Sequence, residues 1–117
     1  MPDVKQITTT LCDRADLVVN AGVCALHKGE QIAIFYLPDV NNGVYALQNW
    51  DPLGNAAVLS RGITGDIDGR LVVASPLYKQ HFDLATGECL EDGDIKLKTY
   101  RVSLVDDAVV LHHGAGN

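Results

Sequence analysis

The sequence predicts an all-β protein, an antiparallel β-sandwich or partly open barrel, and three observations carry that expectation. Short apolar, β-branched runs are separated by turn dipeptides. In Thr99-Tyr100-Arg101-Val102-Ser103-Leu104, polar and apolar residues alternate strictly, which puts Tyr100, Val102 and Leu104 on one face of a half-buried strand. No segment offers a long apolar repeat of helical period.

The elements follow in chain order. A short helical turn is expected near Asp13-Arg14-Ala15-Asp16. Residues 22–27 and 31–37 flank Lys28-Gly29 as a hairpin, and Asn42-Gly43 precedes a strand over 44–48. Asp68-Gly69 joins 63–67 to 70–74, and Thr86-Gly87 joins 81–84 to 88–90. Asp106-Asp107 turns the alternating strand into 108–111. Asn-Gly and Asp-Gly favour type I′ turns because both central residues need positive φ. The tail from His113 to Asn117 is expected to fray. Residues 1–117 read as one domain without repeats or a linker.

A chain of 117 residues can bury roughly two thirds of its unfolded surface, so it needs neither disulfides nor a metal to fold. Apolar residues make up 47% and charged residues 21%, an ordinary globular balance. The net charge of −6 argues against nucleic acid and anionic membrane surfaces, whose binding relies on clustered cations, and Lys and Arg are scattered along the chain. The first residues lack the basic start and apolar stretch of a secretory signal, and the longest apolar run, 17–26 interrupted by Asn20, is too short to span a bilayer. Cys12, Cys24 and Cys89 form neither a disulfide framework nor a zinc pattern, which favours a cytoplasmic location with three free thiols.

The informative stretch runs from Asn49 to Leu90. It contains Asn49-Trp50-Asp51-Pro52-Leu53, Leu59-Ser60-Arg61-Gly62, Ala74-Ser75-Pro76-Leu77-Tyr78-Lys79, Phe82-Asp83-Leu84 and Thr86-Gly87. This order resembles the Rieske pattern, in which an asparagine precedes C-P-H, followed by L-S-x-G, C-P-x-H-G and F-D-L-x-T-G. The frame residues match, but the four ligand positions hold Asp51, Leu53, Ser75 and Tyr78, and Lys79 stands in place of a glycine. A Rieske cluster takes two cysteines and two histidines. Leucine has no donor atom, and serine and aspartate are poor substitutes for thiolate at a soft centre. The 21 residues between Leu53 and Ser75 suggest a longer hairpin around Asp68-Gly69 than Rieske ferredoxins have. Loss of all four ligands with the frame retained is similar to the small subunit of NAD(P)H-dependent nitrite reductase, whose D-P, L-S-R-G and S-P-L-x-K-Q runs resemble residues 51–52, 59–62 and 75–80.

The resemblance implies a Rieske-like fold with a cluster-binding-type subdomain at about 49–84. It implies a cytoplasmic accessory subunit that binds no cofactor, with FAD, siroheme, an iron–sulfur cluster and the NAD(P)H site on a large-subunit partner that reduces nitrite to ammonium. Two other readings stand beside it: a true Rieske electron carrier, and a free-standing interaction module of the same fold. Trp50, Pro52, Leu53, Pro76, Leu77, Tyr78 and Lys79 are the candidate partner interface. Trp and Tyr are favoured at interface hot spots, although Leu53 and Tyr78 could instead fill the space left by a cluster.

The remaining candidates have plainer readings. In Cys24-Ala25-Leu26-His27, residues three apart on a strand point to opposite faces, so a buried cysteine and a turn histidine are expected. His112 and His113 diverge for the same reason. Ser60, His81 and Asp83 lack a nucleophile elbow. Asp66 to Gly69 reads as a turn rather than a calcium loop.

Overall fold

The computed structural model describes residues 6–39, 43–77 and 79–114. Every strand pair within its sheets is antiparallel. One sheet has the order β1–β12–β11, from Gln6–Asp13, Ala108–Gly114 and Val102–Val105. The central sheet has the order β10–β4–β3–β2, from Thr99–Tyr100, Val44–Gln48, Glu30–Tyr36 and Ala21–His27. A ribbon of β5 (Trp50–Asp51) and β6 (Ala56–Ala57) leads to a third sheet, β7–β8–β9, from Ile63–Ile67, Arg70–Ala74 and His81–Asp83.

The central sheet is apolar on both faces, and this sets the architecture. Ile32, Ala33, Ile34 and Phe35 are all 0% exposed. Because neighbouring strand residues point to opposite faces, they feed two cores. Ile32, Ile34 and Ala46 pack with Val109, Val102 and Leu104 of the first sheet. Ala33, Phe35 and Leu47 pack with Leu59, Val73, Phe82 and Leu84 of the other layer. The continuous apolar run in β3 is therefore a strand covered twice.

Lys28-Gly29, Asp68-Gly69 and Asp106-Asp107 all have the paired positive φ of tight hairpin turns, as expected. The turn after β1 is a short 3-10 segment, Arg14–Asp16. Gly43 has φ +73°, while Asn42 lies outside the described residues.

The structure corrects three readings of the fold. Residues 88–90 form no strand after Thr86-Gly87: Cys89 and Glu88 make only single bridges, to Phe82 and Lys96. The alternating stretch is not one strand: the chain leaves the central sheet after Tyr100 and joins the first sheet at Val102. Both sheets face the same core, so Tyr100, Val102 and Leu104 stay on the apolar side and the crossover leaves no mark in the pattern. His113 does not fray: it pairs with Ile7, and Gly114 with Gln6, because β1 supplies an edge for them. Residues 115–117 lie outside the described residues.

Candidate functional site

Two loops face each other at one end of the third layer, following β4 and β8. Asn49 anchors the first. It is 2% exposed, and its Oδ1 accepts from Ser60 N at 2.7 Å. Its Nδ2 donates to Gln31 Oε1 and Ala57 O, both at 3.1 Å. One buried amide thus ties the loop to β3, β6 and the Leu59–Arg61 turn, which satisfies its own polar atoms.

Asp51 and Ser75 meet between the loops. Asp51 is 0% exposed and Ser75 1%. The Ser75 hydroxyl donates to Asp51 Oδ2. Asp51 Oδ1 accepts from Leu53 N at 2.9 Å and Gly54 N at 3.2 Å, and Ser75 Oγ accepts from Leu77 N at 3.2 Å. Ser75 N donates to Gln80 O, and Ser75 O accepts from Lys79 N, closing the second loop on itself. Gly54 lets Leu77 approach, since a Cβ there would collide with the Leu77 side chain.

The other frame residues hold turns. Asp83 Oδ1 accepts from Ala85 N at 2.7 Å and Thr86 N at 3.0 Å, while Oδ2 takes Arg70 Nε at 2.8 Å. Burial alone would raise the Asp83 carboxyl, but Arg70 and the two N–H donors outweigh it and hold it below its ordinary value. Gly87 has φ +82° and sits against the Leu97 carbonyl, where a side chain has no room. The conformation of the F-D-L-x-T-G run is thus explained by its own hydrogen bonds.

The proposed interface residues divide into groups. Leu53 is half-buried and packs on the core. Pro52, Pro76, Leu77 and Lys79 are exposed, with Leu77 47% exposed. Trp50 is also 47% exposed, but as the strand neighbour of buried Asp51 it opens on a different groove, beside Gln48, Ala57 and Tyr100. Tyr78 lies outside the described residues. Residue-by-residue reading missed Ile63, 79% exposed, which with Arg61 borders a groove of about 400 Å³ along Pro76 and Lys79. Its one sequence signal is an isoleucine directly after the Leu-Ser-Arg-Gly frame run.

The remaining candidates separate as well. Cys24 and His27 point to opposite faces, Cys24 toward Asn49 Nδ2 and His27 toward His113. Cys24 is exposed rather than buried, because β2 is an edge strand. His112 bonds Ser103 and His113 bonds Thr9, so the two diverge. His81 pairs with Glu91 and Asp83 with Arg70, and no hydrogen bond joins either to Ser60 among the described residues. Asp66 Oδ1 accepts from Gly69 N, closing a turn.

This donor set does not fit a 2Fe–2S cluster. Asp51 and Ser75 engage each other, Leu53 offers no donor, and among the described residues no three His, Cys, Asp or Glu side chains converge as metal ligands. What the fold and the loops define is a Rieske-like domain whose two loops are joined by a carboxylate–hydroxyl hydrogen bond. A family model described as a Rieske-like [2Fe-2S] domain matches residues 8–112. The nitrite reductase (NADH) small subunit of Salmonella typhimurium is 45% identical over 101 residues, covering 86% of this chain and 93% of that one. The solved structure of the Escherichia coli protein NirD superposes with a TM-score of 0.82 at 40% identity, covering 95% of this chain and 100% of the other. A Klebsiella oxytoca nitrite reductase [NAD(P)H] large subunit is 37% identical over 99 residues, covering 85% of this chain but 10% of that polypeptide. The chain belongs to the nitrite reductase (NADH) small-subunit family, within the Rieske-like domains.

Proposed function

We propose that this chain is a non-catalytic subunit that docks on a nitrite reductase large subunit and supports nitrite reduction to ammonium there, carrying no iron–sulfur cluster of its own. The observation that carries the reading is the Klebsiella large subunit, in which a segment similar to nearly all of this chain is part of one long polypeptide. The contact between Asp51 and Ser75 supports the second half, because it engages the donor atoms at two ligand positions. On this reading FAD, siroheme, an iron–sulfur cluster and the NAD(P)H site belong to the large subunit, and the assembly is cytoplasmic. Among the described residues no helix is long and apolar enough to cross a membrane.

Co-expression with a large subunit, followed by purification through a tag on this chain, tests the proposal. The expected result is a stable complex, and a separately purified chain that is colourless without stoichiometric iron or sulfide after anaerobic handling. A cluster on the isolated chain would make it an electron carrier. Failure to associate would leave a free-standing interaction module.

A further inference from the structure

The first sheet and the central sheet enclose one apolar core, and the sandwich opens at one end. Three distant segments form the rim. The β2–β3 hairpin brings His27, Lys28 and Glu30, the crossover brings Lys98 to Arg101, and the end of β12 brings Leu111 and His113. The groove they line has a volume of about 360 Å³, within the range of small-molecule sites. Lys and Arg are scattered in the sequence, but the fold gathers Lys28, Lys98 and Arg101 here, on a chain of net charge −6.

Among the described residues Glu30 is the one carboxylate lining the groove, and it is already neutralised. It accepts from Lys98 Nζ at 3.0 and 3.1 Å and from the Tyr100 hydroxyl at 3.0 Å. Lys98 also lies 4.8 Å above the Tyr100 ring, which fixes that ring as part of the wall. Lys28 and Arg101 have no ion-pair partner among the described residues. The rings of His27 and His113 meet edge to face with centroids 5.7 Å apart. His113 Nε2 is held by Thr9 at 2.9 Å, which leaves its other ring nitrogen uncommitted among the described hydrogen bonds, as are both nitrogens of His27.

We infer that this mouth binds a small phosphate ester carrying a flat ring, the chemistry of a mononucleotide. Lys28 and Arg101 supply charge-assisted donors to phosphate oxygens, and even a neutral imidazole offers one N–H. Tyr100, Leu111 and the histidine rings supply an apolar wall for a planar group. The concave shape and the single neutralised carboxylate favour a compact anion over an extended acidic segment. The mouth shares Glu30, Lys98 and Tyr100 with the groove on which Trp50 opens, but none of its lining residues comes from the loops that carry Asp51 and Ser75, and the inference does not rest on the subunit proposal.

Titrating the full-length chain with AMP, adenosine and inorganic phosphate, read by calorimetry and amide NMR, tests the inference. Saturable AMP binding is expected at or below about 1 mM. Adenosine and phosphate alone should each bind at least about tenfold more weakly, and shifts should centre on His27, Tyr100 and His113. Lys28→Glu and Arg101→Glu should each weaken AMP by about tenfold, while Lys96→Glu, an equal charge change elsewhere, should not. Circular dichroism would establish that all three variants fold. Absence of AMP binding, equal weakening by Lys96→Glu, or phosphate binding as tight as AMP would overturn the assignment.

Discussion

The Ser75 hydroxyl donates to the Asp51 carboxylate across 24 residues of chain, and both side chains are sealed from solvent. In the family resemblance these are the two cysteine positions. A direct hydrogen bond between side chains thus joins the loops that a cluster joins elsewhere.

Ser75→Ala should lower stability by about 1–3 kcal/mol, because it leaves a buried carboxylate oxygen short of a donor. Asp51→Ala should cost at least as much, since Leu53 N and Gly54 N also lose their acceptor. The double variant should cost less than the sum of the two, with a coupling of about 0.5–3 kcal/mol. Urea unfolding with an unchanged m-value measures all three.

If the loops dock on the large subunit, Trp50→Ala and Leu77→Asp should each weaken that complex by about 2 kcal/mol or more, the scale of a hot spot. Both side chains are 47% exposed, so the melting temperature of the free chain should hardly change. Trp50 and Leu77 open on different grooves, so loss of binding in only one variant would assign the interface to that groove. Normal binding by both, or unfolding of both, would place it elsewhere.

Asp83 gives a pH dependence of stated sign. Its folded pKa lies below the ordinary value, so its contribution is complete above the unfolded carboxylate pKa near about 3.9 and is lost as pH falls through the folded one. Arg70 is 43% exposed, which screens the pair. The advantage of the native chain over Asp83→Asn should therefore be about 1 kcal/mol at neutral pH and should shrink as pH falls through the folded carboxyl pKa. Unfolding curves for both proteins across that range check it.

All three thiols should titrate in the denatured, unreduced protein. In the native protein Cys24 should react first, half-buried Cys12 more slowly, and buried Cys89 only through opening of the core. Burial pushes the Cys24 thiol up, and burial together with Asp16 and Asp13 pushes Cys12 up. Labelling should therefore keep accelerating as pH rises past the ordinary thiol value. Finding one reactive thiol in the denatured chain would mean that the other two are paired.

The hairpins could be read from the sequence because their turns need positive φ, and Lys28-Gly29 and Asp68-Gly69 announce it locally. The strand Gln6–Asp13 could not be, because its Thr8-Thr9-Thr10 centre alternates nothing and only the distant β12 gives it a partner. Asp51 and Ser75 were legible as departures from a pattern, but their mutual contact was not, since 24 residues separate them. Lys79 stands where the family has glycine, and the structure gives it φ +62°, a conformation that costs a non-glycine residue roughly 1–2 kcal/mol. The cationic mouth was invisible because Lys28, Lys98 and Arg101 are brought together only by the hairpin and the crossover.

The doubly covered central sheet bears on any attempt to trim this protein. Excising residues between β4 and β10 would leave a plausible seven-stranded remnant, with its Ile32 and Ile34 side intact. The reverse side would then present Ala33, Phe35 and Leu47, all 0% exposed in the native protein, to water. A contiguous oily sheet face of that kind invites self-association. A shortened version should therefore express as inclusion bodies or soluble aggregates unless Phe35 and Leu47 are first made polar.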